Sequence, residues 1–210
     1  KELGWDRIVA FQTRNPLHRA HVEMTISSME KLDARLFLHP VVGLTKVGDV
    51  DYYTRVRCYQ HVLKKYPQNS VILGLLPLAK RMGGPREALL HAIVRKNYGC
   101  THIIIGRDHA GPGNNSKGTS FYGPYEAQEI MVKYQKEIGI KMVSFDFMVY
   151  VPKLKKYKSL KGLGNNTPYR TISGTQLRNK LNKGESIPDW FSYPEVSREL
   201  EKTTPPQHKK

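Results

Sequence analysis

Residues 8–21 read IVAFQTRNPLHRAH. The apolar run at residues 8–11 predicts a short buried strand, and Pro16 stands where a helix can begin because proline suits the first helical turn. On that helix His18 and His21 are three residues apart and share one face. A helix N-terminus offers free N–H groups and a positive dipole end, so the stretch predicts a site for phosphate-like anions. The alternative is a plain strand–loop–helix with surface histidines.

The composition predicts one sizeable domain, alone or with a small appendage, in a chain of 210 residues. No run of about 18 apolar residues occurs, so no membrane span is predicted, and no secretory leader opens the sequence. Cys58 and Cys100 do not form a Cys-x-x-Cys pair, which is typical of a reducing compartment. We expect a cytoplasmic protein, or an organellar one whose leader has been removed.

Positive charge dominates, because 34 Lys and Arg residues stand against 18 Asp and Glu residues and give a formal net charge of +16. Such an excess indicates anionic partners, namely nucleotides, sulfate, nucleic acid or a membrane surface. Part of the charge is local, since lysines crowd residues 153–161 and the segment continues to residue 166 with glycine and asparagine. This composition predicts a solvated loop insertion.

Apolar runs alternate with amphipathic stretches along the chain. Strands are predicted at residues 8–11, 36–42, 71–76, 102–105 and 141–145. Helices are predicted at residues 17–32, 51–66, 85–98 and 125–138, with short helices from Ser173 onward. The alternation predicts an α/β fold in which helices wrap a parallel sheet and ligands bind outside the carboxyl ends of the strands. We place a catalytic domain at residues 1–150, and the lysine-rich insertion with a C-terminal helical subdomain at residues 151–210.

A second candidate site follows the predicted strand at residues 102–105 and reads GRDHAGPG at residues 106–113. Glycines after a buried strand let backbone N–H groups approach an anion. Arg107 can pair with phosphate and Asp108 can accept from ribose hydroxyls, while the alternative is an ordinary glycine-rich turn. The segment is not a Walker A loop, because Thr119 stands where lysine is required, and it is not a G-x-G-x-x-G fingerprint.

A third candidate site reads ISGTQLR at residues 172–178. Ser173 is a predicted N-cap, with Thr175 and Arg178 within the next turn, and such groups at a helix start hold phosphate oxygens. The alternative is simple capping. No metal site is predicted, because His18 and the second motif histidine have no recognisable third ligand.

Taken together, the motifs closely resemble the ATP sulfurylase family. The resemblance spans nearly the whole chain and is carried by residues 12–21, 106–111, 172–178 and 187–195, with further similar stretches at residues 42–46 and 84–88. It implies the Rossmann-like parallel sheet of the nucleotidylyltransferase superfamily. Arg19, Ala20 and His109 are similar to the bacterial, fungal and plant type. The N-terminal PUA-like domain typical of the family is not part of this sequence.

The resemblance implies transfer of the adenylyl group of ATP to sulfate, which gives adenosine 5′-phosphosulfate and pyrophosphate and is the first step of sulfate assimilation. It implies Mg²⁺ carried on the ATP phosphates, with no protein metal ligand. It also implies a homo-oligomer without nucleic-acid or membrane partners, and an adenylylsulfate kinase that is either fused or separate.

The resemblance also assigns the site residues. Sulfate is bound by Gln12, Arg14 and the backbone N–H of Ala110. The catalytic positions are Thr13, Arg14, Asn15, His18 and His21. The ATP-binding positions are Gln12, Asn15, Gly106, Arg107, Asp108, His109, Met148, Val149, Ser173 and Arg178, with Asp108 toward the ribose and the backbone of Met148 and Val149 toward adenine.

Two other functions remain open at this point. Another nucleotidylyltransferase of the same superfamily would share His18, His21 and the Ser173 motif, but it would not explain residues 12–15. A basic nucleic-acid-binding module would explain the charge of +16, but no aromatic RNA-binding signature accompanies it.

Overall fold

The computed structural model describes residues 3–45 and 48–203. In chain order the elements are β1 Ile8–Phe11, α1 Arg19–Leu32, β2 Arg35–Leu38, α2 Tyr52–Leu63, β3 Val71–Leu73, α3 Pro85–Asn97, β4 His102–Ile105, α4 Glu126–Ile138, β5 Lys141–Ser144, β6 Met148–Val151, β7 Lys156–Ser159, α5 Gly174–Asn182 and α6 Pro194–Thr203. The chain divides into two compact units. Unit one comprises residues 1–14, 25–47 and 68–147, and unit two comprises residues 15–24, 48–67 and 148–210.

Unit one contains a five-stranded sheet in the order β3-β2-β1-β4-β5, in which every neighbouring pair is parallel. This is the doubly wound order of a Rossmann-like fold, so the predicted α/β class is confirmed. The strand order reverses between β1 and β4, where Val9 pairs with His102. Ligands of such sheets bind at the carboxyl ends of the strands beside this reversal, and the predicted motifs that follow β1 and β4 both begin there.

The core of unit one packs α3 and α4 against the sheet. Ala88 and Ala92 of α3 are fully buried with Ile103 and Ile105 of β4. Two alanines four residues apart present a smooth face, which lets the helix approach closely. The β4 strand is buried along its last three residues, as expected for a central parallel strand with helices on both faces.

Three predicted strands end earlier than expected, β2 at Leu38, β3 at Leu73 and β5 at Ser144. The strand predicted at residues 36–42 ends at Leu38, because Pro40 has no N–H to continue the ladder. Val41 and Leu76 form only an isolated parallel bridge beyond the ends of β2 and β3.

Unit two is built from α2, α5, α6 and the antiparallel β6–β7 hairpin. Asp51 caps α2 by accepting from the N–H of Thr54 at 3.0 Å. The α2 and α6 helices pack together, and Arg57 of α2 donates to Glu199 of α6 at 2.8 Å. The predicted division at residue 150 differs from these two units. Residues 48–67 belong with the C-terminal part of the chain because α2 packs against α6.

Residues 156–159 of the lysine-rich segment form the second strand of a hairpin, so the prediction of a loop was wrong for these residues. Tyr157 of β7 lies opposite Tyr150 of β6 with ring centroids 5.5 Å apart, and its hydroxyl donates to the carbonyl of Trp190 at 2.7 Å. The predicted solvation is confirmed, because alternation along the strand leaves Lys156 and Lys158 exposed. The Tyr157 hydroxyl thus ties the strand to a half-buried partner that lies 33 residues away in sequence.

Within the described ranges, no helix combines the length and apolar character needed to cross a bilayer.

Candidate active site

The first site segment follows β1 in unit one. Gln12 and Thr13 are buried, and the carbonyl of Thr13 accepts from the N–H of Val41 at 3.0 Å. Both amide atoms of Gln12, Nε2 and Oε1, are buried without a hydrogen-bond partner among the described residues. Burying an amide without a partner costs about 1–3 kcal/mol. Native proteins keep such groups mainly where a ligand or a bound water completes them.

The second segment follows β4 in the same unit and forms a tight turn. Asp108 and Ala110 adopt positive φ values of 51° and 59°, a conformation that Asp tolerates but that strains a residue such as Ala110. The turn is held by the N–H of Asp108, which donates to the carbonyl of Pro124 at 2.7 Å. A Cβ at Gly111 would overlap the carboxylate of Asp108, so a larger residue there would displace that side chain. Arg107 and Asp108 are exposed and Ala110 is buried.

A polar chain reaches this turn from α3 through two buried residues that were not predicted as site residues, Glu87 and His91. Glu87 Oε1 lies 3.3 Å from His91 Nε2, and His91 Nδ1 lies 2.9 Å from His109 Nε2. In addition, the N–H of Gly84 donates to the carbonyl of Ala110 at 2.9 Å. The signal that could have found the chain is the four-residue spacing of Glu87 and His91, which puts both on one face of the helix.

The third segment begins unit two, and α1 begins at Arg19 rather than at Pro16. His18 stands at the cap position, because its carbonyl accepts from the N–H of Val22 at 3.3 Å. His21 Nδ1 accepts from the N–H of His18 at 3.3 Å. The His21 imidazole therefore accepts a hydrogen bond from the N–H of the cap residue, as a glutamate or glutamine side chain does in a capping box. This bond assigns the proton of neutral His21 to Nε2, which makes Nε2 a hydrogen-bond donor.

The rings of the two motif histidines lie against each other and against Phe191. The centroid of His18 is 3.8 Å from that of His21 and 4.4 Å from that of Phe191. Nδ1 of His18 is buried without a hydrogen-bond partner in the described part of the chain. Burial, with the neighbouring His21, holds the pKa of His18 well below its usual range, and burial lowers the pKa of His21 to about 4. Both imidazoles are therefore neutral at pH 7.

Arg19 anchors the segment that carries Phe191. The backbone N–H of Arg19 donates to the carbonyl of Phe191 at 3.0 Å. Its Nε donates to the carbonyls of Asp189 and Ser192, and its guanidinium lies 4.3 Å from the ring centroid of Tyr193. Arg19, the first of the two residues between the histidines, is therefore structural, and it places the ring on which His18 stacks.

The His-x-x-His segment and the 172–178 segment line one cavity of about 150 Å³ in unit two. Its walls include Asn15, His18, His21, Gly174, Arg178 and Phe191. The structure thus brings together two motifs that lie more than a hundred residues apart in sequence. A cavity with imidazole N–H groups and a guanidinium is suited to phosphate oxygens.

Ser173 behaves as the capping alternative predicts. Its hydroxyl accepts from the N–H of Gln176 at 3.2 Å, and Gln176 Oε1 accepts from the N–H of Ser173 at 2.8 Å. Arg178 is the cationic residue of this motif that lines the cavity. The side chain of Thr175 and all of Lys46 lie outside the described part of the chain.

The remaining predicted positions are distributed over both units. Gln12, Thr13, Arg14 and residues 106–110 belong to unit one, and Asn15 begins unit two. The carbonyl of Asn15 accepts from the hydroxyl of buried Tyr59 at 2.9 Å. Met148 and Val149 open β6, where they pair with Ser159 and Lys158. Tyr59 and the ring contact of Phe191 were not predicted, since neither follows from local spacing.

Fold and site together define a Rossmann-like α/β protein with polar loops at the ends of β1 and β4. The sequence matches the ATP-sulfurylase family model over residues 1–203, so the chain belongs to that family. It is 56% identical over 207 residues to a sulfate adenylyltransferase of Neosartorya fischeri, covering 99% of this chain and 36% of that protein. It is 55% identical over 208 residues to the sulfate adenylyltransferase of Yarrowia lipolytica, with the same coverage.

Among solved structures, the fold is similar to a hexameric APS kinase from Thiobacillus denitrificans, with a TM-score of 0.80 and 30% sequence identity. The match covers 98% of this chain and 38% of that chain. The chain therefore spans little more than a third of the length of these relatives.

Proposed function

We propose that this chain carries the adenylyl-transfer site of a sulfate adenylyltransferase, which joins sulfate to the α-phosphorus of ATP and releases pyrophosphate. Family membership and 55–56% identity to sulfate adenylyltransferases support the proposal. The structural observation that carries it is the buried, unpartnered amide of Gln12 at the carboxyl end of β1, judged among the described residues. A polar ligand at that position would complete it.

The chemistry requires positioned donors rather than a base. Sulfate is a full dianion at neutral pH, so the nucleophile has no proton to lose. The obstacle is electrostatic, since each pair of like unit charges at about 4 Å costs roughly 1 kcal/mol in water and several times more in a drier site. Removing one preorganised donor typically costs about 3–4 kcal/mol of transition-state stabilisation. Neutral His18 and His21 suit this role, because each supplies an N–H without accepting a proton.

The proposed roles follow the family pattern. Gln12, Arg14 and the N–H of Ala110 bind sulfate, while Thr13, Arg14, Asn15, His18 and His21 act on the reacting phosphate. The nucleotide is bound by Gln12, Asn15, Gly106, Arg107, Asp108, His109, Met148, Val149, Ser173 and Arg178. Of these, Arg178 has the clearest support on the phosphate side, because it shares a cavity with both motif histidines.

Magnesium is expected at this site as part of the substrate. No group of three His, Cys, Asp or Glu residues suited to a metal ion occurs within residues 3–45 and 48–203. The cavity side chains His18, His21 and Arg178 supply N–H donors that suit phosphate oxygens, and Asp49 is the one carboxylate among the described residues of the cavity lining. We propose that Mg²⁺ arrives bound to the ATP phosphates. The cytoplasmic or organellar location, the homo-oligomeric state and the accompanying kinase remain predictions.

The proposal is tested by pyrophosphate release from MgATP, measured in the longer protein that contains this chain. Release should depend on sulfate, and Arg14→Ala should nearly abolish it while the circular dichroism spectrum is kept. Arg198→Ala, at an exposed arginine of α6, is the matched control and should keep full activity. Release that depends on another acceptor would support a sibling nucleotidylyltransferase, and RNA binding without turnover would support the nucleic-acid-binding alternative.

Competing anions test the donor character of the sulfate site. Molybdate and selenate are tetrahedral dianions and should compete with sulfate. Phosphate is partly protonated near pH 7, so its hydroxyl would face a donor such as the Ala110 N–H, a mismatch that costs a few kcal/mol. We expect phosphate to compete poorly, and equal inhibition constants for molybdate and phosphate would rule out an all-donor site.

A further inference from the structure

The α3 helix buries a row of polar side chains inside unit one. Glu87, His91 and Arg95 follow one another at four-residue spacing and are 5%, 0% and 0% exposed. A helix normally turns its apolar face inward, and buried polar groups need hydrogen-bond partners to offset their lost hydration. Arg95 Nη2 donates to the carbonyl of His39 at 2.9 Å, while the other two members of the row lead toward the turn that follows β4.

Glu87 is held as a carboxylate. Its two oxygens accept from the N–H groups of Arg81 at 3.0 Å and Gly83 at 2.7 Å. Burial by itself raises the pKa of Glu87, but the nearby His91 side chain and the hydrogen bonds from these N–H groups outweigh it and bring the pKa to about 2. A carboxylate has no proton to donate. His91 Nε2 lies 3.3 Å from Glu87 Oε1, in a geometry that is poor for a hydrogen bond. A proton on Nε2 is nevertheless attracted to the carboxylate, whereas a lone pair there would be repelled, so Nε2 is the nitrogen that carries the proton.

This assignment fixes the next contact in the chain. Burial lowers the pKa of His91. Glu87 raises this pKa and the cations Arg95 and Lys80 lower it, and the net result is a lowered pKa. A neutral His91 protonated at Nε2 has a lone pair on Nδ1, which lies 2.9 Å from His109 Nε2. His109 Nε2 must then be the donor.

His109 is neutral as well, because burial and the neighbours His91, Lys80 and Arg95 hold its pKa well below the usual range. A neutral imidazole carries one ring proton, so a proton on Nε2 leaves a lone pair on Nδ1.

We propose that Glu87, acting through His91, is a positioning residue that holds His109 in the Nε2–H tautomer. The turn then offers a hydrogen-bond acceptor, His109 Nδ1, to a neutral donor such as a hydroxyl or amino group of the nucleoside. A sulfate or phosphate oxygen would face the Nδ1 lone pair and be repelled, so His109 contacts the nucleoside and not the sulfate or phosphate groups. Only the identity of this ligand rests on the proposed function, because the tautomer is a property of the chain itself.

The tautomer is measured directly by long-range ¹H–¹⁵N correlation of the histidine side chains, with His109 assigned by the loss of its signals in His109→Gln. We expect a single Nε2–H form in the unliganded protein at pH 7.5, and an Nδ1–H form would overturn the proposal. In Glu87→Gln the side-chain amide can either donate or accept a hydrogen bond, so it no longer fixes which nitrogen of His91 carries the proton. We therefore expect a mixture of tautomers at His109. An unchanged tautomer would remove Glu87 from the assignment.

The control variant is Glu126→Gln. Glu126 also accepts from a backbone N–H, that of Gly123 at 2.6 Å, but among the described residues it forms no hydrogen bond or ion pair with a histidine. This variant should leave the His109 signals unchanged. Signals of His39, a buried histidine of the same unit, should be unchanged in both variants and report that the fold is kept.

A binding readout separates positioning from a general structural defect. Glu87→Gln should weaken adenosine binding by roughly tenfold, the equivalent of one hydrogen bond, and should leave pyrophosphate binding unchanged. Equal loss for both ligands would indicate a structural role only and overturn the proposal. Absence of sulfate-dependent pyrophosphate release would refute the proposed function without affecting the tautomer measurement.

Discussion

The imidazole of His18 stacks on the phenyl ring of Phe191, with centroids 4.4 Å apart and 30° between the planes. The stack is set by the backbone, because Arg19, the residue after His18, donates its N–H to the carbonyl of Phe191 at 3.0 Å. The 187–195 segment therefore supplies the ring surface that holds one of the two motif histidines.

Phe191→Leu should therefore lower kcat although Phe191 need not touch a substrate. Loss of the flat ring lets the His18 imidazole turn, and a displacement of about 1 Å in a positioned group can cost on the order of 100-fold. We expect a loss of about tenfold or more in kcat with a far smaller change in the KM for ATP. Phe121→Leu, at a phenylalanine that is 58% exposed, is the control. Equal activity in the two variants would contradict the role of the stack.

His18→Ala and His21→Ala should each reduce kcat by roughly 100- to 1,000-fold, the usual cost of one donor aimed at developing charge. ATP binding should weaken much less, because such a donor acts mainly in the transition state. Steady-state kinetics and equilibrium ATP binding separate the two effects. His61→Ala, at a half-buried histidine of α2 that lies 3.7 Å from Glu199, should keep normal kcat. A rise in the KM for ATP alone would make the motif histidines simple binding groups.

Gln12→Leu should abolish sulfate-dependent turnover without lowering stability. The Gln12 amide has no partner among the described residues, so its replacement by an apolar group removes an unsatisfied group rather than a bond. Gln128→Leu is the matched comparison, since Gln128 Nε2 donates to the carbonyls of Ile105 at 2.9 Å and Phe145 at 3.3 Å. We expect urea titration to show a loss of about 1–3 kcal/mol for Gln128→Leu. A comparable loss for Gln12→Leu would show that its amide is satisfied within the protein.

Stability should fall as the pH drops from about 6.5 toward 4. Burial lowers the pKa of His21 to about 4, and burial with the neighbouring Arg95 does the same for His39. In this window the unfolded chain binds protons that the folded chain does not, so the free energy of unfolding decreases with falling pH. Glu87, whose pKa is about 2, adds a further loss below about 4.5, the region in which an unfolded glutamate takes up its proton.

The measurement is urea unfolding at pH 7.5, 6.5, 5.5 and 4.5 in chloride buffer without sulfate or nucleotide, which would bind the folded protein and stabilise it. A flat stability profile between pH 7 and 4.5 would show that the buried histidines become protonated in the folded protein.

Local sequence was sufficient for much of the fold. The strands β1 and β4 occur at their predicted bounds, because each is an apolar run buried on both faces of a parallel sheet. The α3 and α4 helices end within a residue of the prediction. The start of α1 was misplaced because a histidine pair, rather than Pro16, caps the helix.

The order of strands and helices, the strand-end positions of Gln12 and Gly106 and the cap at Ser173 were determined by the sequence itself, since they depend on periodicity and on residues a few positions apart. Only the tertiary structure decided the rest. The hydroxyl of Tyr157 donates to the carbonyl of Trp190, and His91 meets His109 through packing of α3 against the turn after β4. The physical reason is common to both cases. A buried polar group must find its partner in space, and no short-range pattern specifies a partner that lies 18 or 33 residues away.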